Sequence, residues 1–181
     1  MASGKYAYKE SGDISGHRNI DWFEKHIFSF AFWNSFKGRL LDIGCGNGRI
    51  NSLFKNYFDY IYCIDSGTSV FDMFNYDNVF FIKKGIEHLK TNRKFDVITF
   101  MLSFYSIEEK EKILKKCVNM LSDNGSIVIV DGILEVRSKS RAGYYTIELI
   151  KDIVNKFNMK LVIHTTPIKD TTESIIFILT K

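Results

Sequence analysis

Proline is nearly absent from this chain. Among 181 residues there is one, Pro167. No Pro-, Gly- or Ser-rich linker divides the sequence, so a single domain is expected. Cysteine is scarce as well. Cys45, Cys63 and Cys117 are odd in number and lack any C-x-x-C spacing. That argues against a disulfide framework and a structural zinc site, so no metal is expected, and it fits a reducing compartment. No uncharged apolar run reaches the ~18 residues of a membrane-spanning helix. The start of the chain lacks the basic-then-apolar profile of a secretory signal. A cytoplasmic protein with no membrane partner is therefore expected. Long blocks of like charge are missing, so a nucleic-acid-binding tail is not indicated. The net charge of +4 still leaves room for a basic face built by the fold. Internal repeats and low-complexity tracts are also missing.

What is present is core material. Hydrophobic residues make up 45% of the chain and aromatics 15%, a composition that excludes disorder. After a polar, Gly/Ser-containing start, Asn19 to Phe36 holds too many large aromatics for one helix stripe and predicts either two short helices or a helical surface that meets a ligand, with a cover for the sheet as the first reading. Leu40 to Ile43 reads as the end of a buried strand. Ile50, Leu53, Phe54 and Tyr57 recur at helical spacing. A second strand covers Tyr60 to Ile64, a second helix includes Val70, Phe71 and Phe74, and a third strand covers Asn78 to Ile82. Lys94 to Phe100 is the fourth strand. Ser106 and Glu109 have the spacing of a capping box for a helix running to about Leu121. Asp123-Asn124-Gly125 reads as a turn, and Ser126 to Asp131 as a strand buried on both faces. A helix from Tyr144 to Phe157, ended by Asn158, precedes strands at Lys160 to His164 and Ser174 to Thr180. The connection between those last two strands is too short for a crossover helix, so they must pair antiparallel.

The chain is organised around Leu40-Leu41-Asp42-Ile43-Gly44-Cys45-Gly46-Asn47-Gly48-Arg49. A strand that turns through three alternating glycines into a helical pattern is a nucleotide-binding device, because glycine permits positive φ and close approach of a ligand to the backbone. A dinucleotide site wants Gly-x-Gly-x-x-Gly, and here the third position of that pattern is Arg49. An NAD-dependent oxidoreductase is disfavoured on that ground. Asp65, some twenty positions past the turn and at the tip of the second strand, is placed to accept from both ribose hydroxyls of an adenosine.

The segment Asp42-Ile43-Gly44-Cys45-Gly46-Asn47-Gly48 resembles motif I of the class I S-adenosylmethionine-dependent methyltransferases, and the resemblance covers about residues 38 to 181. It implies an α/β sandwich around a doubly wound, mostly parallel seven-stranded sheet of order 3-2-1-4-5-7-6 with an antiparallel last strand. Residues 38–181 would form the cofactor domain and residues 1–37 a helical segment that acts as a lid. The implied cofactor is S-adenosylmethionine, with S-adenosylhomocysteine as product. The implied cofactor-binding residues are Asp42, Gly44, Cys45, Gly46, Gly48, Asp65, Ser66, Ile86, Glu87, Met101 and Leu102. One position departs from the family. Lys83-Lys84-Gly85-Ile86-Glu87-His88-Leu89 is similar to the loop after the third strand, but Gly85 stands where an Asp usually accepts from the adenine amino group. Ile86 is expected to offer its backbone N–H to the adenine, and Glu87 to substitute as acceptor.

The family has no universal catalytic residue. Candidates near the crevice are Asp131, Tyr105, Glu135 and His17. The Asn/Asp-Pro-Pro-Tyr/Phe signature of amino-methyltransferases acting on nucleic-acid bases is missing, as is the Pro-Cys nucleophile of cytosine-C5 enzymes. A small-molecule acceptor with an oxygen or nitrogen nucleophile is expected first, and an RNA or protein acceptor second. A non-catalytic, S-adenosylmethionine-binding scaffold stands third, with the intact Asp42, glycine turn and Asp65 against it. No motif bears on the oligomeric state.

Overall fold

The computed structural model describes residues 24–46, 48, 50–67, 76–132, 147–166 and 174–181. The expectations for His17, Glu135, the helix near Val70 to Phe74 and residues 133–146 lie outside the described residues.

Seven strands form one sheet: β1 (Arg39–Ile43), β2 (Tyr60–Asp65), β3 (Val79–Lys83), β4 (Phe95–Met101), β5 (Leu121–Gly132), β6 (Lys160–Thr166) and β7 (Ser174–Thr180). Their order is β3-β2-β1-β4-β5-β7-β6, as expected. β1 pairs in parallel with β2 and β4, and β4 with β5, while β7 lies antiparallel to both β5 and β6. A two-residue side-chain period lets each central strand feed two cores. β5 sends Ile127 and Ile129 to one face and Val128 and Val130 to the other. The first face is covered by helices α2 (Lys110–Met120) and α3 (Ile147–Lys156), through Ile113, Leu114, Cys117, Ile150, Ile153 and Val154. The second is covered by α1 (Asn51–Phe54) and by the aromatic segment around Ile27, Phe28 and Trp33.

That aromatic segment is not a long helix. Its described part is a helical turn at residues 24–26 followed by a 3-10 helix, Ala31–Ser35. The reason is in the packing. Trp33 is fully buried, stacks on Phe28 at 4.7 Å, and donates from its indole nitrogen to the carbonyl of Ile27 at 2.9 Å. One straight helix cannot turn so many aromatic rings to a single face, and a short, tight one folds them back on each other.

Three further local expectations need correction. The amphipathic run from Ile50 to Tyr57 yields only the single turn α1, and residues 55–57 continue as turns. The capping box does not form. α2 begins at Lys110 with Glu109 as its cap and no side-chain cap bond, and the Ser106 hydroxyl donates instead to the carbonyl of Ser103 at 2.7 Å. The short 3-10 helix Phe104–Ser106 takes up the residues that the box would have used. Finally, Asp123 to Gly125 lie within β5 as an irregularity: Phe95 pairs with Leu121 and Val97 with Ser126, so the extra residues bulge out of one continuous strand. Asn158 does end α3 as expected. It adopts φ 51, and the amide of Met159 donates back to Val154 at 2.9 Å.

Among the described residues, no helix is long and apolar enough to cross a membrane, and no cluster of metal-ligating side chains occurs.

Candidate cofactor pocket

The sheet order reverses between β1 and β4, and open α/β sheets hold their ligands at the carboxyl ends of strands at such a point. A cavity of about 520 Å³ lies there, within the range of small-molecule sites. Ile43 and Gly44 after β1, Ile64 to Ser66 after β2, Lys84 to Glu87 after β3, and Ser103 after β4 line it. Ser106 to Glu109 and Ile113 close it from the side of α2. The charge on this wall is acidic: Asp65, Glu87, Glu108 and Glu109 face it against Lys84. The whole chain is net positive, so the acidity is local and suits a ligand that carries positive charge.

The glycine turn has the conformation that its sequence requires. Gly44, Gly46 and Gly48 have φ of 73°, 57° and 72°, where other residues are strained. Gly44 is also pressed by its neighbours. A Cβ there would stand 2.5 Å from the Cβ of Ser103. A Cβ on Gly48 would meet the side-chain amide of Asn51 at 2.6 Å and the ring of Phe81 at 2.9 Å. Two of these glycines are thus fixed by packing within the protein as well as by room for a ligand.

Asp65 braces the turn. One carboxylate oxygen accepts from the Gly46 amide at 2.9 Å and the other from the Gly67 amide at 2.7 Å. Each oxygen keeps a further lone pair, and the residue is half-buried on the cavity wall.

Asp42 lies behind the turn and not on the cavity wall. It is 1% exposed and accepts from the Thr99 hydroxyl at 2.8 Å. Burial pushes its carboxyl up to about 7, against the lowering effect of the Thr99 bond and with a further rise from the nearby Asp65 charge. Cys45 is half-buried beside Cys63, and its thiol is pushed far up by that neighbour and by burial. It is not an activated nucleophile. Gly46 reaches the cavity through Asp65, while Gly48 is buried by its neighbours.

Met101 and Leu102 are buried in the second core and do not line the cavity. Leu102 is nonetheless unusual. Its φ is 57°, and its amide donates to Val130 at 2.7 Å. A leucine held left-handed at a strand end is a strained joint of the kind found where a chain must present the next residues to a site. Those residues are Ser103 and the 3-10 turn. The Ser103 hydroxyl donates to the carbonyl of Ile43 at 2.6 Å and ties the ends of β4 and β1 together. Tyr105 is half-buried, and Asp131 is fully buried at the end of β5, away from the cavity wall.

Gly85 and Glu87 form a complementary pair. The ideal Cβ of Gly85 would lie 2.1 Å from one Glu87 carboxylate oxygen and 2.5 Å from the other. The Glu87 carboxylate thus fills the space in which a residue-85 side chain would start. Ile86 is buried next to it at the cavity edge. Sequence reasoning puts Ser103 at the carboxyl end of the fourth strand, where the crevice is expected, and Ser103 lines the cavity, but that reasoning missed Lys84, Ser106 and Glu108 as wall residues. Only the rule that loops at the carboxyl ends of strands line the crevice would have found them.

Comparison with known proteins places this geometry. A family model described as a methyltransferase domain matches residues 41–129. An uncharacterised methyltransferase of Staphylococcus carnosus is 25% identical over 148 residues, covering 69% of this chain and 72% of that protein. The N-methyltransferase NodS of Bradyrhizobium japonicum, solved with S-adenosylhomocysteine, superposes with a TM-score of 0.75 at 15% identity over 98% of this chain and 95% of that one. The plantazolicin methyltransferase BpumL, solved with a pentazolic desmethylPZN analog and S-adenosylhomocysteine, gives 0.61 at 16% identity, covering 79% of this chain and 76% of that one.

Proposed function

The chain belongs to the class I S-adenosylmethionine-dependent methyltransferases, and from that premise we propose that it methylates an oxygen or nitrogen nucleophile on a small molecule. The observation that carries the cofactor reading is the Asp65 carboxylate, which holds the Gly46 amide and faces the cavity with lone pairs to spare. The residues present fit the group. The acidic wall suits a cationic sulfonium and amino group, and the glycines keep the backbone bare of side chains. When bound, S-adenosylmethionine supplies an electrophilic methyl group and leaves as S-adenosylhomocysteine.

In this reading Asp65 accepts from the ribose hydroxyls, with Ser66 beside it. Ile86 packs on the adenine and offers its amide, and Glu87 accepts from the adenine amino group in place of the missing Asp at position 85. Gly44, Cys45, Gly46 and Gly48 shape the floor. Asp42 acts from behind through Thr99, and Met101 and Leu102 set the strand end from which Ser103 projects. Residues 38–181 form the cofactor domain. We assign the role of a lid to the segment 1–37, whose described part is anchored in the core at Ile27 to Trp33 and whose residues 1–23 lie outside the described residues. The protein's share of catalysis is to align the acceptor with the methyl–sulfur bond and exclude water. Tyr105, half-buried in the segment that contributes Ser103, Ser106 and Ile107 to the wall, is the aromatic side chain we assign to that task. The proton lost from the acceptor goes to solvent, since Asp131 is fully buried away from the cavity wall. Of the two ligand-bound structures, BpumL is by name a plantazolicin methyltransferase and NodS an N-methyltransferase, which supports a small-molecule acceptor and a nitrogen or oxygen nucleophile. A cytoplasmic location accords with three free cysteines.

Calorimetric titration with S-adenosylmethionine, S-adenosylhomocysteine and NAD tests the reading. Micromolar binding of both adenosyl ligands and none of NAD is expected, followed by transfer of label from methyl-labelled cofactor in a screen of small hydroxy and amino compounds. Absence of binding by either adenosyl ligand would end it.

A further inference from the structure

Lys110 is one of the most deeply buried charged residues described, at 5% exposure. A lysine is almost never placed there without a reason. Its ammonium donates to the carbonyl of Tyr105 at 3.1 Å and to the carbonyl of Ile107. It also lies 5.8 Å from the centre of the Phe104 ring, which is itself fully buried and packed edge-to-face on Phe100. Asp131, 0% exposed at the end of β5, attracts it electrostatically. Burial lowers the lysine's pKa, and this aspartate opposes the change.

The two carbonyls belong to the segment 103–107, which leaves the strained Leu102 and contributes Ser103, Ser106 and Ile107 to the cavity wall. From one end Ser103 bonds the segment to β1. From the other end Lys110 gathers it. The carbonyls at the end of a helical turn carry partial negative charge, and a cation placed on them is stabilising. A solvent-exposed lysine could satisfy the same carbonyls only loosely. A buried one, bonded to both, fixes where they point.

We propose that Lys110, through the carbonyls of Tyr105 and Ile107, is a positioning residue that sets the cavity wall between β4 and α2, and that the buried Asp131 is its counter-charge and not a base for proton abstraction. The proposal rests on the cofactor reading above. Stability and binding separate its effects. Lys110→Met keeps the length and removes the charge. Removing one partner of a buried pair leaves the other charge uncompensated, so Lys110→Met should lower the melting temperature, and Lys110→Met combined with Asp131→Asn should recover most of it while leaving the wall loose. The Kd for S-adenosylhomocysteine should rise roughly tenfold as the wall loosens, and Lys110→Arg, which keeps a cation on the carbonyls, should restore most of the affinity.

The proposal is overturned if folded Lys110→Met binds S-adenosylhomocysteine as wild type does. It is also overturned if affinity and melting temperature fall together and Lys110→Arg restores neither, because that marks a purely structural lysine. Should Lys110→Met not fold, the folded Asp131→Asn variant carries the same comparison: a lower melting temperature with weaker binding supports the pair, and unchanged binding refutes it. Failure of the wild type itself to bind S-adenosylhomocysteine is a different result, seen before any substitution, and removes the underlying reading.

Discussion

Asp42 makes the fold sensitive to pH in a direction opposite to that of most carboxylates. Its carboxyl moves from 3.8 to about 7 because burial disfavours the charge, and one hydroxyl from Thr99 offsets this only in part. Between those two values the folded chain holds a proton that the unfolded chain has lost. Stability therefore decreases as pH rises, by about 1.4 kcal/mol per pH unit, and levels off above pH 7. Over the full interval this amounts to about 4 kcal/mol, a large part of the ~5–15 kcal/mol typical of a whole domain. Asp42→Asn removes the ionisation and keeps an oxygen to accept from Thr99. Urea unfolding of both proteins at pH 5, 6, 7 and 8 isolates the effect, since every other titrating group is shared. The variant should gain on the wild type by roughly 2 kcal/mol between pH 5 and pH 7. Parallel stability curves for the two proteins would refute the reasoning and would mean that Asp42 ionises at its ordinary value, with water or a cation reaching it.

The sheet was legible in the sequence because its signals are local. Short apolar runs such as Ile127 to Val130, cut by turns and spaced for crossovers, admit few assignments, and the brief connection between β6 and β7 forces the antiparallel pair. The glycine turn and Asp65 were legible because backbone conformation and spacing constrain the residue types. The rest failed where tertiary packing overrides periodicity. Ile50 to Tyr57 has a helical stripe, yet the regular helix stops at Phe54 and the chain goes on as turns. Ser106 and Glu109 have capping spacing, but the buried Lys110 takes the carbonyls of Tyr105 and Ile107 and sets the helix start itself. A lysine read as solvent-facing on a helix wheel gives no hint of this, because its burial is set by how α2 packs, and the charge that acts on it, Asp131, lies on β5. Asp42 was legible as a motif position but not as a buried acid, since the depth of a residue behind a turn is not written in the turn.

Two substitutions of glycine separate packing from binding. Gly44→Ala combines a left-handed residue with a contact of 2.5 Å to the Ser103 Cβ, so it should cost about 2 kcal/mol or more in chemical unfolding. Adding Ser103→Gly should recover part of that loss, and no recovery would show that φ alone is responsible. Gly85→Ala should behave in the opposite way. Its φ of −69° suits alanine, and what its Cβ meets is the end of a flexible, half-exposed glutamate. The fold should keep its melting temperature, but the Glu87 carboxylate must leave the place it occupies. If that carboxylate recognises the adenine, the affinity for S-adenosylhomocysteine falls several-fold, and Glu87→Gln weakens it in the same way. If affinity stays within twofold of wild type in Gly85→Ala, the side chain at position 87 has no part in holding the adenine, and recognition there falls to the backbone of Ile86 alone.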